Sequence, residues 1–99
     1  PPTLVTVTPP AGGLTHAAGT FPTPAGQYSV AWRSAHAGSG LHITVPSNAG
    51  ALCRLAGSRV SEGGVPVGQV PGVDIVSRSG REVVVAVGTG TYDFTAAAG

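Results

Sequence analysis

The sequence predicts an all-β domain, built as an antiparallel β-sandwich of seven to eight short strands. Fourteen valines are spread along the 99 residues, and their stiff β-branched side chains favour the pleated surface of a strand. Sixteen glycines and nine prolines interrupt every stretch in which the apolar spacing of a helix could build up. Short alternating segments recur at roughly ten-residue spacing with turn residues between them, as in sandwich domains.

Alternation of apolar and polar residues assigns the strands and the side of each strand that faces the core. It is clearest at residues 41–45, where Ile43 and Val45 lie opposite His42 and Thr44. The full set of predicted strands is residues 4–8, 14–21, 28–33, 41–45, 49–55, 73–78, 82–87 and 91–94. The same alternation predicts a core that includes Val30, Ile43, Val45, Val83, Val85 and Tyr92.

Glycine, proline and asparagine mark the turns between these strands. Pro46 ends the fourth predicted strand, and Asn48 is expected to adopt the left-handed αL conformation in the reversal that follows. Ser79 and Gly80 predict a tight hairpin in which the glycine takes a positive φ. A bulge is predicted at residues 88–90, where two glycines interrupt an extended segment.

The length of the chain fits one domain. We expect this domain to occupy residues 1–95, and residues 96–99 to form a disordered tail. Charged residues make up only 9% of the sequence, against about 25% in an average protein. Because a free-standing domain needs a charged surface to stay soluble, we expect part of this surface to be an apolar face that another domain covers.

The charge and hydropathy patterns argue against nucleic-acid and membrane binding. The chain has no lysine, its five arginines are scattered and its net charge is +1, whereas binding of DNA or RNA needs clustered phosphate contacts. The longest apolar run, residues 83–87, is far shorter than the ~20 residues that cross a bilayer. The one cysteine, Cys53, cannot form a disulfide within the chain, so the redox compartment stays open.

No arrangement of side chains in the sequence predicts catalysis, and no cofactor or metal motif occurs. Glycoside hydrolysis needs two carboxylates that face each other at a set separation. The four carboxylates are instead expected at exposed strand or turn positions (Asp74, Glu82 and Asp93) and in a glycine-rich loop (Glu62). The three histidines lack the spacing of zinc ligands and are expected to be loop and surface residues: His16, His36 and His42. Cys53 falls on a predicted core face and is expected to be inert.

Aromatic side chains are the remaining candidates for contact with a ligand or another domain. Trp32, Tyr92 and Tyr28 are the residues that would stack on a sugar or dock against a neighbouring domain. Trp32 shares its predicted strand face with Val30, which favours core or inter-domain packing over an exposed platform. We therefore expect weak or no sugar binding, and an apolar docking face with Trp32 or Tyr92 near its edge.

Four motifs in a fixed order resemble a known bacterial family. The segment T-P-A-G-Q-Y-S-V-A-W-R at residues 23–33 resembles the T-P-x-G-x-x-x-V-x-W stretch of the C-terminal domain of α-L-rhamnosidases. Residues 41–55, L-H-I-T-V-P-S-N-A-G-A-L-C-R-L, are similar to the family's V-P-x-N-x-x-A-x-V motif and its flanking strands. S-E-G-G at residues 61–64 is similar to its E-S-G loop, and V-G-T-G-T-Y-D-F at residues 87–94 to its closing G-S-G-x-Y-x-F.

The resemblance implies an accessory β-sandwich that packs against the catalytic (α/α)6 barrel of the same polypeptide. In this family the preceding barrel carries out catalysis with acidic residues that this chain lacks, so the parent is expected to be a glycosidase that removes terminal α-L-rhamnose. The sequence departs from the family pattern at His16, where relatives often carry an aromatic, and at Ala56, where they often carry proline. Two alternatives stay open, a carbohydrate-binding module and an Ig-like adhesion domain, and the compartment (secreted or cytoplasmic) depends on the parent.

Overall fold

A computed structural model describes residues 3–8, 15–35 and 38–97, which form ten β-strands and one short 3-10 turn. The strands are β1 (Thr3–Val7), β2 (Thr15–Thr23), β3 (Gly26–Ala35), β4 (Gly38–Val45), β5 (Ala49–Ala56), β6 (Arg59–Glu62), β7 (Val65–Pro66), β8 (Val73–Arg78), β9 (Glu82–Val87) and β10 (Gly90–Ala97). The 3-10 turn spans Val67–Gln69. None of the described segments is a helix long and apolar enough to cross a membrane. The predicted all-β class is confirmed.

The strands form two sheets. One sheet has four strands in the order β1-β5-β9-β8, and the other has six in the order β2-β3-β4-β10-β6-β7. Among the described residues, β1 and β5 pair in parallel and every other pairing is antiparallel. The predicted sandwich is therefore confirmed, with ten strands instead of seven or eight. The two missed strands, β6 and β7, are short and are separated by Gly63 and Gly64.

The inward-facing side chains of the two sheets form one core. The six-stranded sheet contributes Tyr28, Val30, Leu41, Ile43, Val45, Val60, Phe94 and Ala96, and the four-stranded sheet contributes Ala49, Ala51, Cys53, Leu55, Val73, Val83, Val85 and Val87. Of the six predicted core residues five are buried, and Tyr92 is half-buried with its ring packed against the core. The period-two alternation of β4 and β9 therefore identified the inward side of each strand correctly.

The Tyr28 hydroxyl ties the two sheets together through the core. Tyr28 on β3 is fully buried, and its ring stacks on Phe21 with 5.2 Å between the ring centroids. The Tyr28 hydroxyl donates to the carbonyl oxygen of Gly50 on β5 at 2.6 Å. Burial raises the pKa of Tyr28, and the hydrogen bond to Gly50 lowers it by a smaller amount. The phenol therefore stays a neutral donor at physiological pH.

Two predicted turns are present, one of them with a different conformation. Asn48 has a φ of 57°, so the predicted αL reversal between β4 and β5 is confirmed. The β8–β9 hairpin is also present, but Gly80 does not have a positive φ. The Ser79 backbone N–H donates to the Glu82 carbonyl at 2.8 Å, and the Ser79 Oγ accepts the Glu82 N–H at 3.1 Å. Because Ser79 closes the turn, glycine is not required to supply a left-handed residue.

The chain changes sheets at residues 88–90, and the bulge predicted there is wrong. β9 belongs to the four-stranded sheet and β10 to the six-stranded sheet, and Gly90, with a φ of 146°, begins β10 after the crossing. The Tyr92 hydroxyl closes this connection by donating to the Gly88 carbonyl at 3.1 Å. A break in register lies instead in β8, between Ile75 and Ser77.

The predicted tail at residues 96–99 also needs correction. β10 continues to Ala97, and Ala96 is buried. Ala96 pairs with Ser39 of β4 on one side and with Val60 of β6 on the other, so its backbone is held within the sheet. Residues 98 and 99 lie outside the described residues.

Candidate docking face

The outward side of the four-stranded sheet has an apolar centre. In its two central strands, Leu52 lies beside Ala86, and Val84 lies one row further along β9. These three side chains alternate with the buried residues of β5 and β9, so they point away from the core and are only partly covered. A sheet whose two faces are both apolar is typical of a layer that is covered on both faces.

Two exposed side chains extend this surface to both edges of the sheet. Leu4 on the edge strand β1 is 62% exposed, and its side chain lies over Gly50 of the neighbouring strand. Val76, at the break in register of the other edge strand β8, is 58% exposed. We refer to Leu4, Leu52, Val84, Ala86 and Val76 together as the apolar face.

Charged groups border the apolar face. Arg54 Nη2 lies 3.2 Å from Glu82 Oε1, with both side chains partly exposed. Asp74 is exposed on β8, beside Ala86. An apolar centre with a partly solvated charged rim is the usual composition of a protein interface.

The outward side of the six-stranded sheet has the opposite character. His42 Nδ1 lies 3.9 Å from Asp93 Oδ1, and the Thr44 and Thr91 hydroxyl oxygens are 3.3 Å apart. Arg33 is exposed on the same side, one strand away from these pairs. This face is polar and can remain in contact with water, so among the described residues only the four-stranded sheet presents an apolar outer surface.

The three aromatic residues predicted as docking or sugar-stacking candidates all lie on the six-stranded sheet. Tyr28 is fully buried, so neither face of its ring is available to a ligand. Tyr92 is half-buried and stacks on Phe94 with 6.0 Å between the ring centroids. Trp32 is partly buried and lines an opening of about 400 Å³ between the edge strands β1 and β2, where its indole Nε1 is buried without a hydrogen-bond partner. The apolar face therefore lies elsewhere than at Trp32 or Tyr92.

The pattern of apolar residues in β9 and β5 indicates the apolar face, which the positions of the aromatic residues did not. Residues 82–87 read Glu-Val-Val-Val-Ala-Val, which places valine or alanine on both sides of β9. Leu52 likewise falls on the side of β5 opposite to Cys53. A strand that is apolar on both sides needs cover on both sides, and only one of them faces the core.

The four carboxylates are divided between the two sheets. Glu82, paired with Arg54, and Asp74 lie on the four-stranded sheet. Glu62 ends strand β6 instead of lying in a loop as predicted, and its Oε2 accepts the backbone N–H of Asp93 at 3.1 Å. The carboxylates of Glu62 and Glu82 thus each bind another group of the domain.

The candidate metal-binding and nucleophilic residues are also separated. His16 and His42 are exposed on β2 and β4, and His36 lies outside the described residues. Within residues 3–8, 15–35 and 38–97, no three histidine, cysteine or acidic side chains come together as a metal site. Cys53 is buried in the core, where desolvation raises the pKa of its thiol to about 12. A thiol that stays protonated at neutral pH is a poor nucleophile.

The fold and its surfaces define a β-sandwich module with one apolar and one polar outer face. The sequence pattern of the bacterial alpha-L-rhamnosidase C-terminal domain matches residues 4–69, and the chain belongs to this family. The solved structure of an alpha-L-rhamnosidase from Dictyoglumus thermophilum contains the same fold, with a TM-score of 0.74 and 24% sequence identity. That similarity covers 93% of this chain and 11% of the other chain. No curated protein matches the sequence.

Proposed function

We propose that the chain is a non-catalytic accessory domain of an enzyme that removes α-L-rhamnose, and that its apolar face packs against the catalytic (α/α)6 barrel of the same polypeptide. The observation that carries this proposal is the difference between the two outer faces. Membership of the rhamnosidase C-terminal family supports a larger parent, as does the fact that the chain spans 11% of the similar rhamnosidase.

Hydrophobic burial supplies the driving force for this packing. Covering apolar surface contributes about 25 cal/mol per Å² removed from water. Leu4 and Val76 retain more than half of their exposure in this chain, so each has a large area left to bury. The charges of Arg54 and Glu82 at the border would remain partly solvated, since they already neutralise each other.

The position of β1 fits the same arrangement. β1 is an edge strand of the four-stranded sheet and carries Leu4 of the apolar face. If the barrel precedes this domain, as the family resemblance implies, the connection between the two reaches the sandwich beside that face.

The placement of the acidic groups supports a non-catalytic role. Retaining and inverting glycosidases need two carboxyl groups held about 5 Å or about 6.5–9.5 Å apart across a cleft. In this chain Glu82 is engaged with Arg54, and Glu62 with the Asp93 backbone. Asp74 lies on the other sheet from Glu62 and Asp93.

The experiment that tests the non-catalytic role is an activity assay on the 99-residue chain with an aryl α-L-rhamnoside. We expect no release of the aglycone above the buffer control, because Glu82 is paired with Arg54 and Glu62 binds the Asp93 backbone. Glu62→Gln and Asp74→Asn serve as a matched pair of variants. Turnover by the chain that Glu62→Gln abolishes and Asp74→Asn leaves intact would overturn the proposal.

A further inference from the structure

The polar face of the six-stranded sheet carries a broad trough. Its floor lies over the central strand β4, where Gly40 has no side chain to fill the space above the sheet. In the strand register Gly40 lies between Arg33 of β3 and Thr95 of β10, and Thr95 is followed by Ser61 of β6. The concavity has a volume of about 1020 Å³. That volume is at the upper end of the range for small-molecule sites.

Three of the five arginines of the chain line this one concavity: Arg33 of β3 and Arg59 of β6 on the six-stranded sheet, and Arg78 of β8 at the edge of the four-stranded sheet. All three are exposed, and none forms an ion pair with a described residue. Asp93 is the one acidic residue of the lining, and it faces His42. The trough therefore has a positive charge that the described part of the domain does not neutralise.

We propose that this arginine trough binds an anionic oligosaccharide. A guanidinium group binds a carboxylate through two parallel hydrogen bonds, which makes arginine well suited to acidic sugars. The hydroxyl groups of Thr95 and Ser61 lie between the arginines and match the hydroxyl groups of a saccharide. Trp32 is the one aromatic residue of the lining; it is only partly exposed and pairs with the inward-facing Leu41, so the affinity is expected to come mainly from charge and not from ring stacking.

An acidic peptide fits this surface less well than a sugar. Extended peptides bind β-proteins mainly by adding a strand to a free sheet edge. The trough lies over β4 and β10, whose backbones are already paired on both sides. The trough offers a ligand only side-chain groups, namely guanidinium and hydroxyl groups. This favours a ligand with charges and hydroxyl groups along its whole length.

The test is a titration of the 99-residue chain followed by NMR, with α-1,4-linked tetragalacturonate as the probe. We expect saturable shifts at Gly40, Thr95 and Ser61, and binding at least about tenfold weaker for the neutral tetrasaccharide maltotetraose, because each charge-assisted hydrogen bond is worth about tenfold in affinity. Tetra-aspartate and inorganic sulfate test whether any anion is sufficient. If either one bound as tightly as tetragalacturonate, the assignment to a sugar would be overturned.

Variants separate the trough from general surface charge. Arg33→Gln and Arg59→Gln should each weaken tetragalacturonate binding by about tenfold or more. Arg54→Gln is the matched control on the other sheet and should leave the affinity unchanged. Gly40→Val should also weaken binding, because the valine side chain would fill the floor of the trough. The fold should tolerate this change, since a Cβ at Gly40 would lie 3.6 Å from the Phe94 carbonyl oxygen, which is an ordinary contact. Absence of saturable binding, or equal effects of Arg33→Gln and Arg54→Gln, would overturn the proposal, which does not depend on docking by the apolar face.

Discussion

Replacing Tyr28 with phenylalanine tests whether the hydrogen bond across the core holds the two sheets together. The change keeps the ring and its stacking on Phe21 and removes only the hydroxyl that donates to the Gly50 carbonyl at 2.6 Å. A buried hydrogen bond contributes about 0.5–1.5 kcal/mol, and leaving its acceptor without a partner costs about 1–3 kcal/mol. We expect a loss of about 1.5 kcal/mol, which lowers the Tm of a domain of this size by roughly 6–12 °C.

The matched control for this variant is Tyr92→Phe. The Tyr92 hydroxyl also donates to a backbone carbonyl, that of Gly88 at 3.1 Å, but near the surface, where water can replace it. Its loss should cost less than about 0.5 kcal/mol. Urea unfolding followed by circular dichroism gives both free energies. The argument fails if Tyr28→Phe unfolds within about 0.3 kcal/mol of the original chain, or if the two variants are equally destabilised.

Two further predictions concern the core. Ile43 is fully buried, so Ile43→Ala should lower the free energy of unfolding by about 2–5 kcal/mol in urea titrations; a loss below about 0.5 kcal/mol would mean that Ile43 does not face the core. Cys53 has a folded-state pKa of about 12 against an ordinary value of 9.0, so the unfolded chain releases the thiol proton first and stability falls as the pH rises above about 9. At pH 10 this loss is on the order of 1 kcal/mol, and Cys53→Ala should abolish it; an equal pH dependence in both proteins would show that the Cys53 thiol is not desolvated in the core.

Most of the strands could be predicted because alternation reports directly which side of a strand is buried. The alternation at Ile43 and Val45 in β4 and at Val83 and Val85 in β9 marks the inward side, and all four residues are buried. Asn48 was predictable for a different reason, because few residues other than glycine tolerate the αL conformation.

The features that the sequence did not predict correctly have local physical causes. β7 has only two residues and β6 only four, too few for a period-two pattern to emerge. The crossing at residues 88–90 looks like a bulge in the sequence, because an extended segment broken by glycines reads the same whether it continues in one sheet or enters another. Ala96 looks like part of a tail, since a run of alanines carries no alternation, and its burial depends on pairing with β4 and β6.

The sequence indicated an apolar outer surface but not where it lies. Sparse charge indicated an apolar docking surface, and the aromatic residues were the obvious markers for it. Tyr28 instead serves the core, and Trp32 lies at the open side of the sandwich. Locating the apolar face required the strand register, which brings Leu52 and Ala86 side by side on the outward side of the sheet. The arginine trough also required it, since Arg33 and Arg59 are far apart in sequence.

Hydroxyl-radical footprinting of the proposed parent enzyme, compared with the 99-residue chain, tests the proposed docking most directly. The oxidation rate of a side chain follows its exposure to water, and Leu4 is 62% exposed in this chain. If the apolar face packs against the catalytic barrel, the oxidation rates of Leu4 and Leu52 should fall several-fold in the parent, while that of His42 on the polar face stays the same. Unchanged rates at Leu4 and Leu52, or protection of His42 instead, would show that the barrel does not cover the apolar face.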